Sequence, residues 1–273
     1  MAVITISRQV AALGDEIASA LAKEIGYTFI GRKDIEARII ELGFPAEKLK
    51  KYDEKKPGFF ASLAKDRDEY LDYLQLAILE AAAKDNCILI GRGAFVILET
   101  LPNHLAVRFV ANDAIRTERL KTEFAWDEKQ AKQRITESTA NRAGFHKSFF
   151  NVDNTDSTHY HLVLNTGMLG IEDSVKILKN LKDVAITPEK EAEGKKKLQD
   201  LLSAQRLVNK LVFEYNLNIN FLHAVISGDT LVLQGVADSS ALVEKAMSVA
   251  QKVFPDLTVQ SAISVVQDFK AYP

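Results

Sequence analysis

The chain is short of several things at once, and each shortage removes a class of protein. It has one cysteine, Cys87, among 273 residues, so no disulfide framework exists. Set inside the apolar run NCILIG, that thiol reads as a small buried hydrophobe. There is no excess of one charge: 35 Lys and Arg stand against 37 Asp and Glu, a formal net charge of -2, so no general basic field draws the chain to nucleic acid. No apolar run approaches the ~18 residues that span a bilayer. The N-terminal run lacks a basic flank and falls short of the ~7 to 15 residues of a signal core. These absences favour the cytoplasm. The histidines, His104, His146, His159, His161 and His223, do not gather with cysteine at metal-ligand spacing.

What is present is apolar content of 47%, enough for a substantial core in one or two domains. The first 183 residues alternate strand-like apolar runs with helix-like stretches, which argues for a parallel sheet flanked by helices. Strands are expected at Val3 to Ser7, Tyr27 to Ile30, Cys87 to Ile90, Leu105 to Ala111 and Leu162 to Asn165. Helices are expected at Gly14 to Ile25, Arg32 to Leu42, Asp68 to Lys84, Asp113 to Phe124, Asp127 to Ala143 and Gly170 to Leu181. Between them Gly43 to Lys65 reads as a flap over a cleft or a plain surface loop. Thr187 to Lys197, TPEKEAEGKKK, is almost wholly polar, and residues 184–197 are expected to form a charged linker. Beyond it, 198–273 reads as helix, strand, strand, helix, strand, a small α+β domain, with a hairpin turn at Gly228-Asp229.

The stretch ITISRQVAALGDEI, Ile4 to Ile17, carries most of the functional signal. An apolar strand runs through a compact turn into an amphipathic helix, the layout of a phosphate-binding loop. The pattern GxxxxGK(S/T) is not met: Arg8, Ala11, Leu13, Gly14 and Asp15 stand where the first Gly, the middle Gly, the second Gly, the Lys and the Ser/Thr are expected. The loop lysine is absent. Asp15 suits the positive end of a helix without any ligand, and Asp15 or Glu16 is also a hard oxygen donor for magnesium.

Residues 1–183 resemble the cytidylate-kinase-like branch of the nucleoside monophosphate kinases. ITISRQ followed by EIA is similar to the family's ISRE, GSGG, REIA run, the glycine turn having become AALGDEI. YTFIGRKDI resembles the segment around an acidic-arginine pair, with Gly31 in place of the acidic residue and Arg32 kept. ILIGRGA resembles a strand ending in Gly-Arg, VRFVANDAIRTERL the strand and arginine-rich helix near the adenine site, ITESTANRAGFHKSFF the lid, and HYHLVLNTGMLGIEDSVKIL the last strand and helix. The family lid carries an acidic-lysine step where this chain has Thr139 and Ala140, so only Arg142 carries over there.

The resemblance implies an α/β, P-loop kinase-like fold that uses ATP and Mg2+ to phosphorylate a nucleoside monophosphate, CMP or dCMP being favoured. It implies donor phosphates at Arg8, Ala11, Ala12, Leu13, Gly14 and Asp15, donor contacts from Arg116 and Arg119, catalysis by Arg142 and Arg92, and acceptor contacts from Arg32, Arg38 and Arg92. Each arginine has a plainer reading. Arg8 is a substitute for the lysine or a packing and salt-bridge residue; Arg92 holds a phosphate with its guanidinium fork or pairs with a carboxylate at the sheet rim. Arg32 and Arg38 bind the acceptor or line a solvated helix face; Arg116 and Arg119 flank ATP or pair with Asp113 or Glu123. Phe145, Phe149 and Phe150 cap a base or pack in the core.

Residues 198–273 resemble a BON domain in element order and in SGDTLVLQGVADSSALVEKAMSVAQ, where the hairpin ends at Gly235. That resemblance implies contact with a lipid surface, a small ligand or a protein. Two alternatives to the nucleotide kinase stand: a noncatalytic nucleotide sensor, and a kinase for another small acceptor, which the divergent segment Gly31 to Lys56 permits.

Overall fold

The computed structural model describes residues 2–49, 52 and 65–266. Two compact units divide the chain at Lys195/Lys196. The expected flap falls largely on 50–51 and 53–64, outside the described residues.

The first unit is built on five parallel strands, β1 Val3–Arg8, β2 Thr28–Ile30, β3 Cys87–Ile90, β4 His104–Val110 and β5 Leu162–Asn165, in the order β2-β3-β1-β4-β5. Its helices are α1 Gly14–Ile25, α2 Arg32–Glu41, α3 Ala46–Leu49, α4 Lys65–Ala82, α5 Ala94–Ile97, α6 Asp113–Phe124, α7 Glu128–Phe150 and α8 Ile171–Ala185, and α9 Pro188–Asn209 contains the division between the units. Strand residues alternate between the two faces of the sheet. Ile4 and Ile6 with Leu105, Val107 and Phe109 cover one face, where they meet Ile17, Ala18 and Leu21 of α1 and Leu178 of α8 in a single apolar core. Thr5, Ser7, His104, Ala106 and Arg108 occupy the opposite face, and all are buried. Because β1 lies centrally, with β3 and β4 on either side of it, the loop after β1 opens at the carboxyl edge of the sheet, where ligands bind in open α/β sheets.

Two of the differences from the sequence reading have plain physical reasons. Helix α7 runs to Phe150 rather than stopping at Ala143, because Phe145 and Phe149 are buried on its inner side and outweigh the weak helix preference of Gly144. The stretch expected as a charged linker, 184–197, is helical from Pro188 onward as the first part of α9, and the division between the units falls within it. Its Thr187 carbonyl accepts from Glu191 N at 2.9 Å, Pro188 opens the helix, and Glu189 and Glu191 sit in its first turn. Proline, then acids, at a helix start is a stable arrangement. The charge of that stretch marks a solvated helix face.

On the polar face of the sheet, His104 Nε2 meets Thr5 Oγ1 at 2.7 Å, while its Nδ1 is enclosed without a hydrogen bond among the described residues, the nearby Leu98 carbonyl not completing one. Burial first, and His161 second, pull its pKa from 6.5 down to about 3. The unfolded chain therefore binds one more proton between those values, and stability falls as pH drops through that window. Unfolding free energies from urea titrations at about pH 7.5 and about pH 5 should differ by on the order of 1 kcal/mol per pH unit below the ordinary histidine value. His104→Gln should flatten the difference; an unchanged slope in the variant would assign the acid sensitivity elsewhere.

The second unit, Lys196–Pro273, has a small mixed sheet of β6 Asn220–Ser227, β7 Thr230–Ala237 and β8 Thr258–Val265, with α10 Ser240–Val253 crossing from β7 to β8. β6 and β7 pair antiparallel around the Gly228-Asp229 turn, and β7 and β8 pair parallel. Leu207 and Leu211, Leu231 and Leu233, and Ala246 and Val249 form its core. Gly235 is required where it stands: a Cβ there would meet Asn220 O at 3.0 Å and Ile219 Cγ2 at 2.9 Å. The opposing strand is irregular between Asn220 and His223.

Candidate active site

The strand-to-helix loop takes left-handed backbone at residues that are not glycine. Ala11 and Leu13 hold φ of 57° and 55°, a left-handed conformation that costs a residue with a Cβ roughly 1 kcal/mol or more. The surroundings impose it. Arg119 Nη1 of α6 donates to Ala11 O at 3.0 Å and to Thr166 Oγ1 at 3.1 Å, and its Nη2 donates to Thr166 O at 2.6 Å. The Thr166 hydroxyl lies 3.1 Å from Ala12 O. From α7, Arg142 Nη1 donates to Arg8 O at 2.7 Å, and Gln9 Oε1 accepts from Ala111 N at 3.0 Å. Arginines and a threonine thus take up loop carbonyls, and the first-turn N–H groups of α1 are left without partners inside the helix.

At the lysine position the geometry is unambiguous. A Cβ on Gly14 would stand 2.7 Å from both Cβ and Cγ of Arg8. The stem of Arg8 occupies that space, and its guanidinium turns to Asp15, Nε to Oδ2 at 3.1 Å. Asp15 is 61% exposed and Glu16 is exposed beside it.

Arg116 sits on the same helix as Arg119 and is 3% exposed. Its Nη2 reaches Asp113 Oδ1 at 2.5 Å, while Nε and Nη1 are enclosed with no hydrogen-bond partner among the described residues. Two unspent donors on a buried cation call for an acceptor.

At the end of β3 the chain turns through Gly91, Arg92 and Gly93, with φ of 80°, 54° and 70°. This turn sends Arg92 into the interior, 1% exposed. Its Nη1 donates to Tyr52 O at 2.8 Å and to Tyr70 Oη at 3.3 Å, its Nη2 pairs with Glu36, and its guanidinium faces the Phe145 ring at 5.9 Å. Tyr52 and Tyr70 stack at 4.7 Å. Glu36 also accepts from Arg32 Nε at 2.7 Å, and Arg38 pairs with Glu80 at 2.7 Å and Glu41 at 3.0 Å. Burial of the three rings Phe145, Phe149 and Phe150 ranges from complete to partial, and Phe149 packs on Tyr70 at 5.3 Å.

The structure therefore brings Arg8, Ala11 to Asp15, Arg119 and Arg142 together at the loop, and Arg32 and Arg92 together through Glu36, with Arg116 buried at α6 and Arg38 paired instead with Glu41 and Glu80. Sequence reading missed Thr166 and Glu36. The Arg32/Glu36 spacing of four is a visible ion-pair signal, but the reach of Glu36 to Arg92 across 56 positions has no local signature. Among the described residues no group of three or more His, Cys, Asp or Glu is placed to hold a metal by itself, and no helix is long and apolar enough to cross a membrane.

Comparison with known proteins agrees with this architecture. No curated protein matches the chain. A solved structure of an uncharacterized protein from Eubacterium ventriosum ATCC 27560 shares the fold, with a TM-score of 0.55 at 18% identity over 67% of this chain and 98% of that one. Weaker likenesses include a shikimate kinase from Bacteroides thetaiotaomicron, TM-score 0.41, 17% identity, 67% and 98% of the two chains, and a gluconokinase from Sinorhizobium meliloti 1021, TM-score 0.41, 15% identity, 67% and 93%. The first unit has the P-loop kinase-like fold, a parallel five-stranded sheet flanked by helices. The sequence profile of the cytidylate kinase-like family matches residues 3–168, and the chain belongs to that family.

Proposed function

We propose that the first unit transfers the γ-phosphoryl group of ATP to a nucleoside monophosphate, CMP or dCMP being the acceptor that the sequence resemblance favours. One observation carries this reading: Arg119 and Arg142 converge on the carbonyls of a loop held in left-handed backbone at Ala11 and Leu13. Phosphoryl transfer asks of a protein chiefly positioning and neutralisation of charge, and arginines supply both. In this reading Arg8 and residues 11–15 line the donor phosphates, with Arg116 and Arg119 at the donor nucleotide. Arg142 serves the transferring group, and Arg92 with Arg32 and Arg38 serves the acceptor end. Asp15 and Glu16 suit magnesium by the chemistry of their donors, hard carboxylate oxygens on an exposed first turn. Such an ion would supply positive charge against the donor phosphates.

Absence of the loop lysine is tolerable on magnitude. One preorganised electrostatic contact contributes about 2.7 to 4 kcal/mol, against the roughly 8 to 23 kcal/mol by which enzymes lower barriers. A slowed enzyme is the expectation. The test is transfer of labelled γ-phosphoryl from ATP with magnesium to CMP, dCMP, UMP and AMP. Saturable transfer to one of them is the expected result.

A folded preparation that transfers to none would favour a noncatalytic nucleotide sensor, the reading that the Arg8 stem over Gly14 and the Arg8 to Asp15 pair support, or a kinase for a different small acceptor. For the second unit, we take its helix, strand, strand, helix, strand order as BON-like, a ligand-sensing or oligomerising attachment to the kinase-like unit.

A further inference from the structure

Arg108 belongs to none of the groups above, and among the described residues this buried cation forms no ion pair with a carboxylate. It stands on β4 directly across from Ser7 of β1, on the sheet face away from α1 and α8, and is 6% exposed. Its Nη1 donates to Ser7 Oγ at 3.1 Å and to Tyr160 Oη at 3.3 Å, and its guanidinium lies 5.5 Å from the Tyr160 ring centre. The Tyr160 hydroxyl donates in turn to the Asn154 carbonyl at 3.0 Å. All of these partners are neutral. Among the described residues no carboxylate pairs with Arg108; Asp153, whose charge it feels, accepts through Oδ1 from Thr155 N at 2.8 Å and Thr155 Oγ1 at 2.7 Å.

Nε and Nη2 remain. Neither has a hydrogen bond among the described residues, and neither is among the unpartnered atoms sealed from solvent. Together they form the side-on edge of the guanidinium, the edge that takes two oxygens of one carboxylate or phosphate. Arginine stays charged wherever it is buried, so the edge cannot be quieted by losing a proton. Its location ties it to the loop: Ser7 immediately precedes Arg8, whose carbonyl Arg142 holds.

We propose that Arg108, steadied by Ser7 and Tyr160, is an oxyanion-binding residue that receives a phosphate or carboxylate group of the acceptor substrate. Naming the acceptor rests on the phosphoryl-transfer reading; the anion site itself does not. Ser7 and Tyr160 act as positioning residues, since they hold Nη1 and leave the Nε/Nη2 edge facing the ligand.

The experiment follows the side-chain Nε–H resonance of Arg108 by NMR in the full-length wild-type chain, titrated with inorganic phosphate, with acetate, and with chloride as an ionic-strength control. The peak is identified by its loss in Arg108→Lys or, should that variant not fold, by through-bond correlation to Cδ in the wild type. Saturable movement with phosphate beyond that with chloride is expected and assigns a phosphate-bearing acceptor. Movement with acetate alone supports the site and assigns a carboxylic acid acceptor. A peak that responds to neither anion beyond chloride overturns the proposal. Once an acceptor is in hand, Arg108→Lys should raise its KM about tenfold or more, as losing one charge-assisted bidentate contact does, and leave the KM for ATP unchanged. Failure of the kinase reading would show as a wild type without turnover and would leave the resonance result standing.

Discussion

Arg92→Ala should lower the unfolding free energy by about 3 to 5 kcal/mol, the loss that follows when one partner of a buried ion pair is removed. Arg92 is almost wholly enclosed and gathers Glu36, the Tyr52 carbonyl and the Tyr70 hydroxyl around one guanidinium. Truncation strands those acceptors and opens a void beneath the Tyr52/Tyr70 stack. A domain is stable by only about 5 to 15 kcal/mol in total, so this single change uses a large share of it. Glu36→Gln should cost a comparable amount, because it leaves Arg92 charged and buried. The double variant Arg92→Leu/Glu36→Leu should recover much of the loss. Urea unfolding of the three variants gives the coupling; nearly additive losses would mean that the pair is not the unit of stability here. The same Arg92→Ala protein, assayed at a temperature where it is folded, should also show a raised KM for the acceptor.

Gly14→Lys tests the loop from the other side. The substitution restores the lysine of the phosphate-loop pattern, yet ATP affinity should fall about tenfold, because overpacking costs about 1 to 3 kcal/mol and each 1.4 kcal/mol is a factor of ten. The new Cβ would lie 2.7 Å from the Arg8 stem, so Arg8 must swing away and surrender Asp15. In the paired variant Arg8→Gly/Gly14→Lys the obstruction is gone, and affinity should return at least to that of the parent. Calorimetric titration with ATP measures both. An improved affinity in the single variant would show that Arg8 yields freely and is not the residue that replaces lysine.

The sequence announced regular elements well and long-range partners poorly. β3 and β5 and the helices α1 and α6 fall on the expected residues, since strand alternation, buried apolar runs and caps such as Asn112, whose side chain accepts from Ile115 N at 2.9 Å, are local signals. The extension of α7 was hidden because Gly144 looks like a stop, whereas three-dimensional burial of Phe145 and Phe149 decides it. The start of α9 is hidden because the polar composition of TPEKEAEGKKK looks like a linker, while its helix start depends on Thr187 taking up Glu191 N. For the arginines, the type of residue was legible and its assignment was not. Local pairs such as Arg116 with Asp113 are readable from spacing, whereas the partners of Arg92, Arg119 and Arg142 depend on chain crossings of 40 to 134 positions, which leave no trace in spacing. Arg108 passed unnoticed for that reason: in VRFVA it is one polar residue in a strand.

The long helix that follows Asp127 has one more implication. Arg142 of α7 grips the Arg8 carbonyl, while eight residues later Phe150 lies where a Cβ on Gly93 would intrude, at 2.2 Å from one ring carbon. Eight residues of α-helix measure about 12 Å. The separation between the loop after β1 and the turn after β3 is thus gauged by helical pitch, as a caliper holds two jaws. One inserted residue between Arg142 and Phe150 would turn the far jaw by about 100° and release one grip or the other. The length of this segment should vary less than its composition wherever the same two turns must face a shared ligand.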